Sequence, residues 1–264
     1  MAAHVSLFGV NVGIWSGEAA LRRVAELVAP GGSHRLFFVN AHTLNLAYAD
    51  PEYRAVLNSA DLILNDGVGV DLAARAFGVK FHENLVGTDF LPRLCRLARD
   101  RCLRLYFLGS RPGVAEAAAA RLRARLPGLE VVGTHHGYVS PEAEPGLLRA
   151  IRQAAPHILL VGFGNPRQEQ WIVRHQAELG VTLCVGVGAF FDFAGGRVRR
   201  APPWARRARM EWLFRLILEP RRLWRRYLLG NPVFVWRVLR ERLATSRVTA
   251  IPLASRRSRS LEAR

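Results

Sequence analysis

The chain has 264 residues, half of them hydrophobic, and a formal net charge of +17. That length suits one large α/β domain or two small ones, and the apolar content is too high for a disordered chain. The cysteines Cys95, Cys102 and Cys184 form neither a CxxC metal pattern nor a disulfide framework, which fits a reducing compartment. No signal peptide and no apolar run of roughly 18 residues is found, so we expect a soluble or surface-attached protein.

The positive charge is concentrated at one end of the chain. Residues 1–196 carry 19 basic and 17 acidic side chains, whereas residues 197–242 carry 14 arginines against three glutamates. Residues 243–264 add five arginines against one glutamate. A nearly neutral body followed by a cationic end indicates a catalytic part and a part that meets an anionic surface.

Short apolar runs alternate with helical patterns up to about residue 195. In chain order the predicted strands are Val5–Val12, Arg35–Val39, Leu62–Leu64, Leu103–Leu108, Glu130–Gly133, Ile158–Gly162 and Thr182–Val187. The helices predicted between them include Glu18–Val28, Val70–Phe77, Gly113–Arg125 and Pro145–Ala154. This alternation predicts an α/β fold with a Rossmann-like parallel sheet, flanked by helices, in a catalytic body over residues 1–196. The body is expected as one unit or as two Rossmann-like halves that meet near residue 100.

Glycine and polar residues follow nearly every predicted strand. Ligands of open parallel sheets bind at the carboxyl ends of the strands, where helix N-termini offer N–H groups to phosphate. Strand-to-helix turns need such residues in any case, but six clusters together favour a ligand site. The candidate substrate-binding residues in these clusters are Asn40, Thr43, Gly67, Gly109, Gly137, Tyr138, Gly164, Pro166, Gln168 and Glu169.

The common nucleotide-binding motifs do not occur. The first turn, Gly9 to Gly13, does not fit GxGxxG, and GxxxxGK[ST] is missing. Asp-x-Asp, the metal-chelating signature of many nucleotide-sugar enzymes, is missing too. We therefore expect no metal and no cofactor. Backbone N–H groups and side chains would then stabilise a departing nucleotide diphosphate in place of a chelated Mg²⁺.

Three carboxylates lie near the predicted ligand-binding edge. Asp66, in Asn65-Asp66-Gly67, is either a general base for a sugar acceptor or the cap of the following helix, and the local sequence leaves both open. Asp89 precedes a helix and is expected to cap it, with substrate contact as the alternative. Asp192 follows the last strand and is expected to face the substrate. His135 and His136 have no third metal ligand at suitable spacing and are interpreted as turn residues.

Seven motifs now stand in one order along the chain. They are Ala60-Asp61-Leu62 with Asp66-Gly67-Val68-Gly69-Val70, Gly87-Thr88-Asp89, Val132-Gly133-Thr134-His135-His136-Gly137-Tyr138, Gly164-Asn165-Pro166-Arg167-Gln168-Glu169-Gln170-Trp171-Ile172, Gly186-Val187-Gly188, Gly195-Gly196-Arg197-Val198-Arg199-Arg200-Ala201-Pro202 and Glu211-Trp212-Leu213-Phe214-Arg215-Leu216. From about Val5 to about Arg226 the chain resembles the WecG/TagA/CpsF glycosyltransferases, also called glycosyltransferase family 26.

The resemblance implies an inverting, metal-independent hexosyltransferase that uses a UDP-sugar. Its acceptor would be a sugar on polyprenyl (undecaprenyl) diphosphate, in teichoic-acid-like or exopolysaccharide biosynthesis. The resemblance implies that Asp66 is the catalytic base, and it places Gln168 and Asp192 at the substrate pocket.

Two positions depart from the teichoic-acid branch of the family. That branch usually has threonine two residues before the asparagine that matches Asn40, and here the residue is Phe38. It often has arginine before its Val-x-Gly motif, and here Asn84 stands in the corresponding place. A glucosyl or other hexosyl donor therefore fits at least as well as an N-acetylmannosamine donor.

Residues 197–244 interleave arginine with tryptophan and other large apolar side chains. Tryptophan and arginine together suit an anionic bilayer interface, so we expect a membrane-associating helical appendage, broken into short helices at Pro220 and Pro232. The resemblance implies that this appendage also helps to build the acceptor site. The residues expected at the lipid acceptor or the membrane are Arg215, Arg222, Trp224 and Arg225. Residues 245–264 read as a disordered tail.

The expected protein is cytoplasmic and peripheral on the inner face of the cell membrane, and homo-oligomerisation stays open. Two other functions compete with transfer to a lipid-linked sugar. An Arg/Trp-rich end could bind RNA, although the neutral body argues against nucleic acid. The chain could also be a catalytically silent nucleotide-binding scaffold, against which the presence of Asp66 and Gln168 speaks.

Overall fold

The computed structural model describes residues 3–29, 31–202, 204–205, 210–244 and 251–252. It begins with an antiparallel hairpin of β1 (Ala3–Leu7) and β2 (Val10–Gly13). The prediction of one strand over Val5–Val12 is therefore wrong. Phe8 and Gly9 reverse the chain with φ of 53° and 77°, the positive values that a two-residue type I′ hairpin turn requires.

One six-stranded parallel sheet forms the centre of the body and confirms the predicted α/β fold. Its strands lie in the order β4-β3-β8-β7-β5-β6, so that β3 and β8, distant in sequence, are neighbours. Strands β5, β7 and β8 are buried throughout, which is why they read as continuous apolar runs, whereas in the edge strand β6 only Val131 is buried. The bounds are β3 (His34–Val39), β4 (Leu62–Asn65), β5 (Leu105–Gly109), β6 (Val131–His135), β7 (Ile158–Gly162) and β8 (Leu183–Gly186).

Helices cover both faces of this sheet, and each face has its own hydrophobic core. One face carries the hairpin together with α2 (Ala41–Ala49), α3 (Pro51–Asn58), α4 (Val68–Ala76), α7 (Glu144–Ala154) and α8 (Arg167–Leu179). The other carries α1 (Gly17–Leu27), α5 (Gly87–Asp100), α6 (Val114–Arg125) and α9 (Phe190–Ala194). Alternate residues of each strand point to the two cores, as Phe37 and Phe38 do in β3.

From residue 210 to residue 244 the C-terminal appendage contains α10 (Glu211–Leu218) and a longer helical segment. That segment runs through α11 (Pro220–Trp224), a π-helical turn (Arg225–Leu229) and α12 (Gly230–Ala244). Pro220 begins it, as predicted, but the expected break at Pro232 is wrong. Pro232 lacks an N–H, and the π turn before it shifts the hydrogen-bond register, so that the Gly230 N–H donates to the Arg225 carbonyl and the helix continues.

The appendage packs on the body through one side of α12. Phe234 and Val238 are buried in the core that also holds α2 and α4. Arg237 donates to the carbonyl and side chain of Asn45 and stacks on Tyr48. No helix within the described ranges is both long and apolar enough to cross a bilayer. The predicted disordered tail lies outside the described residues, except Ile251–Pro252, whose backbone pairs with β1.

Candidate active site

A cavity of about 750 Å³ opens at the carboxyl ends of β3, β4, β7 and β8. The body forms its floor, and α10, the π turn and α12 form its roof. Of the residues predicted from sequence, it brings together Asn40, Asp66, Gly67, Asp89, Gln168 and Arg215. It is therefore shared between the neutral body and the cationic appendage.

Asp66 lies on the floor, directly after β4. Its N–H donates to the Val39 carbonyl (2.8 Å), which continues the pairing with β3 for one more residue. The next residue, Gly67, has φ of 100°, a conformation that favours glycine, and its N–H donates to Asn84 Oδ1 (2.9 Å). This turn aims the Asp66 carboxylate into the cavity. The alternative role as a helix cap is not observed, because α4 begins after Gly67 without a side-chain cap.

Burial raises the pKa of the Asp66 carboxyl above its ordinary value. The opposing contributions come, in order, from the Asn40 amide, the positive charge of Arg226, the Gly87 N–H and the positive charge of Arg215. Asn40 Nδ2 and the Gly87 N–H each donate to a different carboxylate oxygen, both at 3.4 Å. A carboxylate with a raised pKa and long, weak hydrogen bonds is well suited to accept a proton from a substrate hydroxyl.

Asn40 is fixed by the start of α2. Its Oδ1 caps the helix by accepting from the N–H groups of His42 and Thr43, which leaves Nδ2 free to reach Asp66. Thr43 is fully buried and donates its hydroxyl to the same Oδ1. Thr43 thus supports Asn40 from behind and does not line the cavity.

Gln168, which lines the cavity, and Glu169, which lies behind it, form a buried polar network. Gln168 Oε1 accepts from the N–H groups of Gly164 (3.2 Å) and Gly188 (3.0 Å), and so joins the loops after β7 and β8. Glu169 is fully buried and accepts from Gln168 Nε2 (2.7 Å), Asn165 Nδ2 (2.6 Å) and the Tyr53 hydroxyl (3.0 Å). Glu169 therefore orients two amides that line the cavity, without lining it itself.

A second polar cluster lies farther along the sheet edge, beyond the lining of this cavity. Asp192 accepts from the Ser110 hydroxyl (2.8 Å) and forms an ion pair with Arg197 (2.7 Å). Tyr138 is largely exposed. Gly109 and Gly137 are required by packing, since an added Cβ would lie 2.5 Å from the Gly162 carbonyl oxygen and 2.9 Å from the Phe163 ring, respectively. Gly164 and Pro166 shape the loop before α8.

Asp89 connects the body to the appendage and does not act as a cap. The N-cap position of α5 is Val86, which makes no side-chain cap bond, so the expected cap at Asp89 is wrong. Asp89 pairs with Arg200 (2.6 Å), which also approaches the Glu211 carboxylate (3.7 Å) at the start of α10. Burial raises the pKa of Glu211, and its side chain is only 24% exposed.

The appendage arginines divide into two groups. Arg215 and Arg226 line the cavity, whereas Arg222, Trp224 and Arg225, which were expected at the acceptor, do not. Arg222 pairs with Glu219, and Arg225 stacks on the Trp224 ring at 5.3 Å. Polar and aromatic lining residues that were not predicted as site residues are His42, Glu211, Trp212, Arg226, Tyr227 and Asn231.

Two groups of the cavity lining, His42 and Arg226, have shifted pKa values. Burial and then the charge of Arg226 lower the pKa of His42 to about 4, so His42 is neutral near pH 7. Burial and then the charge of Arg215 lower the pKa of Arg226, while Tyr227 and Asp66 raise it. Within the described residues no group of three His, Cys, Asp or Glu side chains has the arrangement of a metal site.

A carboxylate and two guanidinium groups lining one cavity at a parallel-sheet edge suit a group-transfer enzyme that acts on an anionic substrate. A family model described as the glycosyl transferase WecG/TagA/CpsF family matches residues 5–248. The chain belongs to this family of glycosyltransferases.

Three similar proteins carry the same name, N-acetylglucosaminyldiphosphoundecaprenol N-acetyl-beta-D-mannosaminyltransferase. The protein of Bacillus spizizenii is 33% identical over 201 residues, which is 76% of this chain and 77% of that protein. That of Bacillus subtilis is 30% identical, covering 77% and 78% of the two chains. That of Staphylococcus aureus strain NCTC 8325 is 27% identical, covering 89% and 92%.

Proposed function

We propose that this glycosyltransferase moves a hexosyl or N-acetylhexosaminyl group from a UDP-sugar to a sugar on polyprenyl diphosphate. The observation that carries the proposal is the position of Asp66, on the floor of a cavity whose roof carries Arg215 and Arg226. The names of the similar proteins support a sugar-diphosphoprenol acceptor. The reaction belongs to the synthesis of a cell-surface polysaccharide.

The transfer is a single displacement with inversion at the anomeric carbon. The acceptor hydroxyl oxygen attacks this carbon while the bond to the UDP oxygen breaks, and the hydroxyl proton passes to the Asp66 carboxylate. UDP leaves with the bonding electron pair. Backbone N–H groups at the carboxyl ends of the strands stabilise the charge of the departing UDP, so that the reaction needs no metal ion.

The donor lies along the carboxyl edge of the sheet, with its nucleotide towards Asp192 and its sugar towards Asp66. Gln168 supports this binding by holding the loops after β7 and β8 at a fixed distance. Asn84 bonds to the Gly67 backbone and brings no positive charge to the cavity. Because Asn84 and Phe38, which also lines the cavity, differ from the residues usual in the teichoic-acid branch, a glucosyl or other hexosyl donor fits at least as well as an N-acetylmannosamine donor.

The appendage attaches the enzyme to the inner face of the cell membrane. Its outer side exposes apolar residues next to arginines, including Ile217, Leu228, Leu229 and Trp236. Such a surface suits the interface of an anionic bilayer, where each basic residue contributes about 1 kcal/mol. Flotation with phosphatidylglycerol vesicles, compared with RNA retention on a filter, tests this against RNA binding, and RNA retention alone would contradict it.

The test of the reaction is transfer from labelled UDP-sugars to polyprenyl-diphosphate acceptors with a chelator present. We expect one donor to be used, and Asp66→Asn to lower its turnover by about 10²–10⁴-fold because the base is lost. Calorimetric binding of UDP should be unchanged in this variant. Asp100→Asn, which removes an exposed carboxylate on α5, is the matched control and should keep full activity. Near-normal turnover of Asp66→Asn would disprove the assignment, and failure to bind UDP would contradict the donor.

A further inference from the structure

The cavity has a polar end and an apolar end. The polar end contains Asp66, Arg215 and Arg226, and the apolar end continues outward between α4 and α12. We call this outer part the α4–α12 groove. Its walls are formed by apolar side chains of the two helices, Leu72 and Ala76 on α4 and Val235 and Leu239 on α12.

Helical spacing aligns these side chains into two facing walls. Leu72 and Ala76 are four residues apart on α4, as Val235 and Leu239 are on α12, so each pair lies on one side of its helix. Val238 and Phe234, on the neighbouring stripe of α12, are buried against the body. Leu72, Val235 and Leu239 nevertheless remain 55%, 55% and 52% exposed. An apolar path is thus left open to solvent, directly beside the site of chemistry.

The polar end has the charge that an anionic group at the inner end of this path would need. Arg215 and Arg226 both line the cavity, and neither buried Nε atom has a hydrogen-bond partner among the described residues. Two neighbouring guanidinium groups repel each other unless an anion lies between them. Guanidinium groups bind phosphate oxygens well, since their N–H groups match the phosphate geometry.

We propose that the α4–α12 groove binds the first isoprenoid units of the acceptor, with the acceptor's diphosphate held by Arg215 and Arg226 at its inner end. A prenyl diphosphate has an apolar chain at one end and a negatively charged diphosphate at the other. The groove has apolar walls at its outer end and two guanidinium groups at its inner end, so the two match along their length. The sugar on the diphosphate then extends towards Asp66. The proposal rests on the proposed function for the identity of the acceptor.

Binding without turnover tests the groove directly. The full chain is titrated with geranylgeranyl diphosphate and with inorganic diphosphate, and binding is measured by calorimetry. We expect the prenyl compound to bind at least about tenfold more tightly, since burial of two methylene groups already supplies such a factor. Arg226→Gln should weaken the binding of both compounds, because it removes a charge from the shared diphosphate site.

A pair of variants on α12 distinguishes binding in the groove from nonspecific hydrophobic binding. Leu239→Gln changes a groove wall, whereas Leu243→Gln changes a side chain one turn away that is 87% exposed and does not line the cavity. We expect Leu239→Gln to weaken geranylgeranyl diphosphate binding about tenfold and leave inorganic diphosphate binding unchanged. Leu243→Gln should leave both unchanged. Circular dichroism of both variants checks that they fold.

Equal affinity for the two compounds, or equal effects of the two leucine variants, would overturn the groove. A prenyl affinity that phosphatidylglycerol vesicles abolish equally in the wild type and in Leu239→Gln would also overturn it, because the chain would then bind an unspecific lipid surface. Specific prenyl diphosphate binding without transfer to any sugar-bearing acceptor would support the groove and contradict the proposed reaction instead.

Discussion

Glu169 is a buried acid without a cationic partner among its described contacts. Replacing its carboxyl group therefore shows how its ionisation affects the stability of the fold. Its three bonding partners, Tyr53, Asn165 and Gln168, are all neutral donors. Burial raises the pKa of Glu169 from 4.5 to about 7, and the four hydrogen bonds that lower it, including one from the backbone, compensate only in part. Glu169→Gln keeps the shape of the side chain but cannot ionise. We predict that the stability of this variant relative to the wild type increases as the pH rises.

The magnitude follows from proton linkage. Between pH 4.5 and about pH 7 the unfolded wild type has released the proton that the folded wild type still binds. The free energy of unfolding therefore falls as the pH rises through this window, by ~1.4 kcal/mol per pH unit, and levels off above the folded pKa. The total loss is on the order of 3 kcal/mol, and Glu169→Gln should not suffer it.

Urea unfolding at pH 5, 6, 7 and 8 measures the effect. The difference in the free energy of unfolding between Glu169→Gln and the wild type should shift in favour of the variant by about 2–3 kcal/mol from pH 5 to pH 8. Glu178→Gln, an exposed change on the same helix, is the control and should run parallel to the wild type. A constant difference between Glu169→Gln and the wild type across this range would refute the reasoning.

Three further predictions concern other parts of the site and core. Gly67→Ala should lower the free energy of unfolding in urea by about 1–2 kcal/mol, because φ of 100° strains an alanine. It should also reduce transfer, because this turn aims the Asp66 carboxylate. An unchanged urea midpoint would contradict the prediction. Arg200→Gln should speed hydrogen exchange in residues 211–218 because it loosens the link from Asp89 to Glu211, with exposed Arg22→Gln as control. One thiol, Cys102, should react with a disulfide reagent in the native protein and three after unfolding. Cys95 and Cys184 are buried with pKa values raised to about 12, and fast reaction of either would disagree with the packing.

The central parallel strands β5, β7 and β8 were predictable because they are buried on both faces and read as apolar runs. The hairpin was not, since its turn places Phe8 at a positive φ that phenylalanine rarely adopts. Asp66 and Gln168, which both line the cavity, were predicted from the glycine-rich strand ends and the resemblance to the family. The network of Glu169 was hidden because its partner Tyr53 lies 116 residues away in the chain.

For the arginines of the roof, the sequence could not predict which side chains line the cavity. The sequence favoured Arg222 and Arg225, whereas Arg226 is the one that lines the cavity together with Arg215. Helical spacing relates side chains only along a regular helix. Here the chain changes direction at Glu219 and then enters a π turn, so the spacing between residues 215 and 226 does not tell which of them face the same way. A tertiary structure was required to decide it.

The order of the strands has a consequence for synthesis on the ribosome. The middle of the sheet is closed when β8, near residue 183, docks beside β3, near residue 34. Until then the growing polypeptide holds β3 with one bare edge, and contacts of such long range form slowly. The floor of the cavity and its roof are completed only by the last third of the chain. A truncated nascent chain therefore has no working pocket, and the edges of both β3 and β7 stay exposed until β8 inserts between them.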